Sequence, residues 1–372
     1  MRVKLEPRPQ RSRLMSYLSP LLAAALTGVT GLIVFTLFGL DPGAAFYTFF
    51  VSPIDDRYGL GELGLKATPL MLIAVGLAVG FRANVWNIGA EGQLVAGAIF
   101  GGGLALWFHG VDSPWLLPAM VVAGAVGGML WAAVPALLRT RFNTNEILVS
   151  LMLVYVAELL LDYLVRGPWR DPAGFGFPES KLFHEAATMP LLLGGTRLHA
   201  GLLIALGAVL VGWVFIQRSF LGYQMRVAGL AAHAAAYAGF RRSRMVWMGL
   251  LAGGGAAGMA GVGEVAGPIG QLLPSVSPGY GFAAIIVAFV GRLHPLGILL
   301  ASLLMALLYL GGEAAQMQLG LPAAVTGVFQ GVLLFFLLAS DVFINFRLRV
   351  VRAAPAAAAA PARAEKAEEA VT

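Results

Sequence analysis

The segment FRANVWNIGAEGQL, Phe81 to Leu94, sets Arg82, Asn84, Asn87, Glu91 and Gln93 between two apolar runs. Amide and ionisable side chains are costly at membrane depth and tend to face protein or a water-filled path. Amides both donate and accept, so Asn84, Asn87 and Gln93 suit contact with a polar solute, with Trp86 among them. Gly89 and Gly92 let the backbone bend or approach closely. Asn87 can cap the helix that follows, whose first N–H groups then point at a solute. An ordinary hairpin with a capping Asn is the other reading.

Two further segments carry unusual chemistry. FLGYQMRVAGLAAHAAAYAGFRRSR, Phe220 to Arg244, is too short and too polar to span. Gly229 and Gly239 bracket a stretch of strong helix formers on the order of 14 Å long at 1.5 Å per residue. Its small, smooth surface suits the groove of another protein, or it lies on the membrane surface. GYGFAAIIVAFVGRLHPLG, Gly279 to Gly297, reads as a turn at Arg292 and His294, with Pro295 opening a helix. Glu158 and Asp162, four apart, can share a helix face inside an apolar run.

Reaction chemistry is not evident. There is no GxxxxGK[ST] loop, no HExxH and no clustered histidine, and the chain has no cysteine. Thiolate metal sites, disulfides and Cys nucleophiles are excluded. The chain binds no cofactor of its own on this reading, so energy for any active transport must come from an ion gradient or from a partner.

These segments sit between long apolar stretches. Hydrophobic residues make up 59% of the chain and charged residues 12%, too little polar surface for a soluble core of this size. The runs are continuous rather than alternating, which indicates helices and not a barrel. We expect an all-α integral membrane protein of about ten spans, each near the roughly 20 residues a bilayer core needs. They run approximately over 16–39, 67–83, 91–109, 116–138, 146–166, 198–217, 245–266, 280–293, 295–313 and 321–345, with a broken or re-entrant segment near the second and third. Basic loops after the fourth, sixth and last spans fall on the side of the basic N-terminus, residues 1–15. By the positive-inside rule both termini are then cytoplasmic. The net charge of +6 sits at span ends, not along a nucleic-acid-binding face. The membrane domain covers 16–346, with a cytoplasmic segment at 218–244 and an ordered external loop at 167–197. The low-complexity tail, 347–372, is expected to be disordered.

The chain resembles the permeases of the branched-chain amino acid and simple-sugar ABC importer superfamily, most closely the nucleoside-type branch. The likeness runs from about Ala67 to Leu338. It is carried by FRANVWNIGAEGQLVAGA, NTNEILVSLMLVYVA, GPWRDP, GYQMRVAG with AAAYAGF, GEVAG, GYGFAAIIVAFVGRLHPLG and GVFQG, in order. The resemblance implies a multi-pass bacterial inner-membrane subunit that lacks an ATPase site. Its implied partners are a second homologous permease, ABC ATPase subunits that consume ATP, and a receptor lipoprotein of the basic-membrane-protein type. It implies that Gly222, Arg226, Gly229, Ala235, Ala236 and Gly239 belong to the segment that couples to the ATPase. Asn84, Trp86, Asn87, Glu91, Gln93, Glu158 and Gln330 become candidates for the solute path. Asn145 and Glu146 match the family's NE pair, as gate or as helix cap. Glu158 and Asp162 depart from the mostly neutral pattern expected in that span. Simple-sugar and branched-chain amino acid permeases are alternatives within the superfamily. An ion-coupled secondary transporter, with paired intramembrane carboxylates, is the alternative outside it.

Overall fold

Apolar runs bounded by capping residues set the architecture of the computed structural model, which describes residues 2–8 and 12–351. The helices are α1 (Arg13–Leu37), α2 (Pro42–Phe50), α3 (Arg57–Arg82), α4 (Ala90–Trp107), α5 (Leu116–Phe142), α6 (Glu146–Arg166), α7 (Gly201–Arg218), α8 (Phe220–Leu230), α9 (Ala232–Tyr237), α10 (Arg242–Glu264), α11 (Tyr280–Val290), α12 (Pro295–Leu319) and α13 (Ala324–Asn345). Side-chain caps start several of them. Asp41 accepts from Gly43 N at 2.8 Å, and Pro42 supplies the first position of α2. Asp56 accepts from Gly59 N at 2.6 Å, and Ser219 from Gly222 N at 2.9 Å. Each satisfies an N–H that the helix itself leaves unpaired.

Among the described residues eight helices are long and apolar enough to cross a membrane: α1, α3, α5, α6, α7, α10, α12 and α13. The other two of the ten expected runs also form helices but fall short of that standard. The first turn of α4 carries Glu91 and Gln93. The 11 residues of α11 reach only about 16 Å at 1.5 Å per residue, against a hydrocarbon core of about 30 Å. The second run begins at Arg57, earlier than its apolarity suggests. Its charges are paired: Glu62 with Arg197 at 2.5 Å and Lys66 with Glu313 at 2.7 Å.

At the centre stand α3 and α10, buried along most of their length, while α1, α6, α7 and α13 turn much of their apolar surface outward. Without a hydrophobic drive between helices in lipid, close backbone packing holds such a bundle. Gly258 of α10 makes one of the closest backbone approaches. A Cβ there would strike the Gly124 carbonyl of α5, and the backbone of Gly258 in turn meets Gly97 of α4.

Segment 167–197, expected as an external loop, packs against the chain that follows α10. Backbone N–H groups of Ser180, Phe183 and Met189 donate to the carbonyls of Leu272, Gly270 and Ala266 at 3.0, 2.8 and 2.7 Å. At the opposite end a two-stranded antiparallel ribbon joins β1 (Arg2–Pro7) to β2 (Phe346–Val351), with Arg2 opposite Val351 and Pro7 opposite Phe346. Arg347 pairs with Glu6 at 2.9 Å across it. The first residues of the expected disordered tail are therefore strand. Residues 352–372 of that tail, and residues 1 and 9–11 of the basic N-terminus, lie outside the described residues.

The packing of α10 gives a contrast that can be measured. Gly258→Leu should lower stability by about 3 kcal/mol or more through overpacking against two backbones. Gly263→Ala, which meets open space, should be neutral or slightly stabilising. Thermal unfolding in detergent reads both, and equal effects would contradict the close approach.

Candidate translocation path and coupling surface

The end of α3 and the start of α4 are separated by a non-helical stretch, residues 83–89. Arg82 anchors the end of α3 by donating Nε and Nη2 to the Leu293 carbonyl at 3.1 and 2.9 Å. Asn84 takes a left-handed conformation, φ 56°, which Asn tolerates better than most residues. Its Oδ1 accepts from Trp86 Nε1 at 2.9 Å. The Trp86 ring stacks on Phe289 and lies tilted against Phe81, with centroids 5.8 and 5.2 Å away. Five residues without regular structure, 85–89, then lead into α4.

Asn87 and Gln93 are brought together by this break. Asn87 Nδ2 donates to Gln93 Oε1 at 2.8 Å, and Gln93 Nε2 donates back to Asn87 Oδ1 at 3.1 Å. Asn87 Oδ1 also accepts from Gly89 N at 3.1 Å. Both residues are buried. Asn87 is thus not the cap of α4, whose cap position is Gly89 with no side-chain bond. Each amide donates to the other and accepts from it, which ties Asn87 in the break to the first turn of α4.

Glu91 has a different setting. Its Oε2 accepts from Gly281 N, in the first turn of α11, at 2.6 Å. Ser277 Oγ takes the neighbouring donors, Gly279 N at 3.2 Å and Tyr280 N at 3.0 Å. A carboxylate at a helix N-terminus meets unpaired N–H groups and the positive end of the helix dipole. A cavity of about 460 Å³ opens on this joint, within the range of about 300–1,000 Å³ common for small-molecule sites. Glu91 and Val95 of α4 line it, with Tyr155, Glu158, Leu159 and Asp162 of α6 and residues 274–277 before α11. Glu158 and Asp162 do share one face of α6, and that face lines the chamber. Asp162 is also held by Arg166 at 2.7 Å.

A second cavity, about 280 Å³, lies beyond the break. Asn84 and Glu146 line it together with Ala228, Ala232, His233, Ala235 and Ala236. Asn145 caps α6, accepting from Ile147 N at 2.9 Å, and Glu146 pairs with Arg139 at 3.2 Å. The expected coupling segment divides in two. Gly222 packs under the Phe215 carbonyl, and Arg226 donates to Ile216 O and Gln217 Oε1, both at 3.3 Å. Gly229 leaves room for the Arg82 carbonyl, which a Cβ would strike. These three residues fasten α8 to α7 and α3. The chain breaks at Ala231, φ −147°, and α9 projects. Ala235 faces the cavity, Ala236 is exposed and Tyr237 is 97% exposed. Gly239, at φ +79°, ends the segment against open space.

Gln330 stands apart from both cavities, bonded to Tyr309 across α12 and α13. Tyr155, Ser275 and Ser277 line the first cavity and Arg139 the second, and sequence reasoning passed over them as site candidates. Ser277 and Glu91 meet only because α11 starts against α4, and no local spacing records that.

Residues 60–338 match the family model described as branched-chain amino acid transport system / permease component. The chain belongs to this permease family. It is the membrane-embedded permease subunit of a solute transport system, a multi-pass inner-membrane protein. It is 35% identical to the glucose ABC transporter permease protein TsgB13 of Haloferax volcanii, over 94% of each chain. It is 29% identical to the guanosine ABC transporter permease protein NupP of Bacillus subtilis, over 90% of this chain and 96% of that one. The nucleoside ABC transporter permease protein NupB of Lactococcus lactis is 28% identical over 94% of this chain and 98% of its own. No solved structure matches the chain significantly.

The reciprocal amide pair has a measurable signature. Asn87→Ala and Gln93→Ala should each cost about 1–3 kcal/mol, because each strands a buried amide. The double variant should cost much less than the sum. Chemical unfolding of the four proteins completes the cycle, and strict additivity would show that the two side chains do not act as a pair.

Proposed function

We propose that the chain forms the translocation path of an ABC importer for nucleosides or related sugar-bearing solutes. A separate ATPase drives it, and a substrate-binding lipoprotein feeds it. The observation that carries this reading is one chamber of about 460 Å³ walled by Glu91, Glu158, Asp162 and Tyr155. Carboxylates and hydroxyls bind ribose or pyranose hydroxyls and amino groups through charge-assisted hydrogen bonds. The names of the relatives support both solute classes, since the glucose permease is more similar in sequence and the guanosine and nucleoside permeases follow.

On this reading α4 and α11 complete ten crossings, α11 as the inner half of a broken one, and both termini face the cytoplasm. Arg82, Arg139, Arg226, Arg241, Arg242, Arg244 and Arg292 then lie on the cytoplasmic side, as the positive-inside rule requires. The exposed α9 docks on the ATPase. Motion there reaches the path through the cavity it shares with Asn84, next to the break. A second homologous permease completes the membrane unit. ATP is bound by the partner, and this chain contributes no phosphate-binding loop.

Liposomes holding the assembled transporter and its binding protein test this directly. Labelled nucleoside or glucose should accumulate only with ATP inside. Glu158→Gln should slow uptake about tenfold, the worth of one charge-assisted hydrogen bond of about 1.4 kcal/mol made at the barrier, while complex assembly is unchanged. Uptake driven by an ion gradient without ATP, or ATP hydrolysis by this chain purified alone, would overturn the assignment.

A further inference from the structure

A third cavity, about 570 Å³, opens between the last turn of α5 and the first turn of α10. Thr140 and Arg141 line it from α5, and Arg241, Ser243, Arg244 and Trp247 from the start of α10. Of the other arginines, Arg139 pairs with Glu146, Arg292 with Asp341 and Arg226 with the end of α7, while Arg242 lines the cavity beneath α9. Arg141, Arg241 and Arg244 are exposed, and among the described residues no carboxylate lies within ion-pair distance of them. Three like charges facing one cavity raise a strong positive potential there.

Other features of the cavity add to that field. No side chain caps α10, so its first N–H groups and the positive end of its dipole stay available to an anion. Trp247 Nε1 donates to Thr140 Oγ1 at 3.2 Å and sets an indole in the wall. Indoles favour the membrane–water boundary. On the same end of α5, Leu137 and Phe142 are exposed, Phe142 by 71%. Charge, hydroxyl, helix terminus and apolar flank therefore meet at one place where two spans end.

We propose that this cavity binds a phosphate group, supplied by the headgroup of an anionic phospholipid. Guanidinium forks match phosphate oxygens in pairs, which an ammonium cannot do. Ser243 adds a hydroxyl, and the acyl chains would run along Leu137 and Phe142. The inference rests on the helices spanning a bilayer and is independent of which solute is carried. A free phosphate offers the same chemistry without the apolar flank.

The test uses the full-length chain in detergent and native mass spectrometry. It is titrated with phosphatidylglycerol, with phosphatidylcholine as the zwitterionic control, and separately with sodium phosphate. The wild type should retain phosphatidylglycerol that phosphatidylcholine does not displace. The triple variant Arg141→Gln, Arg241→Gln, Arg244→Gln should bind it about tenfold more weakly or worse. The triple Lys variant keeps the charge but loses the fork, so it should fall in between and remains readable if the Gln variant does not fold. Binding of sodium phosphate alone, lost in the Gln variant, would support the phosphate site with a free-ion source. Equal phosphatidylglycerol retention by wild type and Gln variant, without phosphate binding, would overturn it. So would a Gln variant that loses only the ATPase subunit and keeps its lipid, which would make the cavity a protein-docking surface.

Discussion

The joint between the Glu91 carboxylate and the first turn of α11 governs the rest of the path. A carboxylate taken out of water is costly unless it is hydrogen-bonded to charge-stabilising donors. A helix that begins inside a protein has the complementary problem, because its first N–H groups have no partner. Here each solves the other, with Ser277 taking the remaining donors. The bond fixes the start of α11 against the start of α4, and a Cβ on Gly281 would strike the Glu91 backbone. Glu91 and Ser277 also line the chamber itself. Any movement that opens the path must break or shift this bond, or else carry both helix starts together.

What keeps the joint in register is the packing of α10. It runs past α3, α4 and α5 with glycines at the contacts, so backbones rather than flexible side chains set the spacing. Such an interface is stiff, and it transmits displacement better than it absorbs it. The flexible parts lie at its ends. The break at 83–89 is a turn followed by irregular chain, held by one amide pair, the aromatic contacts of Trp86 and the Arg82–Leu293 bonds. The projecting α9 touches that break through a shared cavity. A push on α9 therefore has a short route to the amide pair, and from there to Glu91.

Much of this was legible in the sequence for a simple physical reason. Apolar runs of span length must be helices in a bilayer, and all ten runs are helical. The polar segment from Asn84 to Gln93 announced itself by cost, since such residues are not placed between apolar runs without partners. Asn145 was named as gate or cap through the resemblance, and it caps α6. The partners themselves were hidden. Glu91 and Gly281 meet across the whole middle of the chain, as do Glu62 with Arg197 and Lys66 with Glu313. Those distant pairs made the start of α3 look like a loop. The helix expected between Gly229 and Gly239 is present as α9, because alanine favours helix wherever it stands, while α8 before it went unread. Glu158 and Asp162 stood out as departures, and only the chamber gave them a common place.

The central claim is that two water-accessible cavities are separated at the Glu91 joint. The natural chain has no cysteine, so single thiols can report on each side. Ser275→Cys lines the outer chamber and Ala232→Cys the inner cavity. In proteoliposomes of the assembled transporter without ATP, a membrane-impermeant maleimide should label Ser275→Cys only from the face that meets the binding protein. Ala232→Cys should label only from the ATPase face. Labelling of Ser275→Cys from both faces in that resting state would contradict a path closed at Glu91.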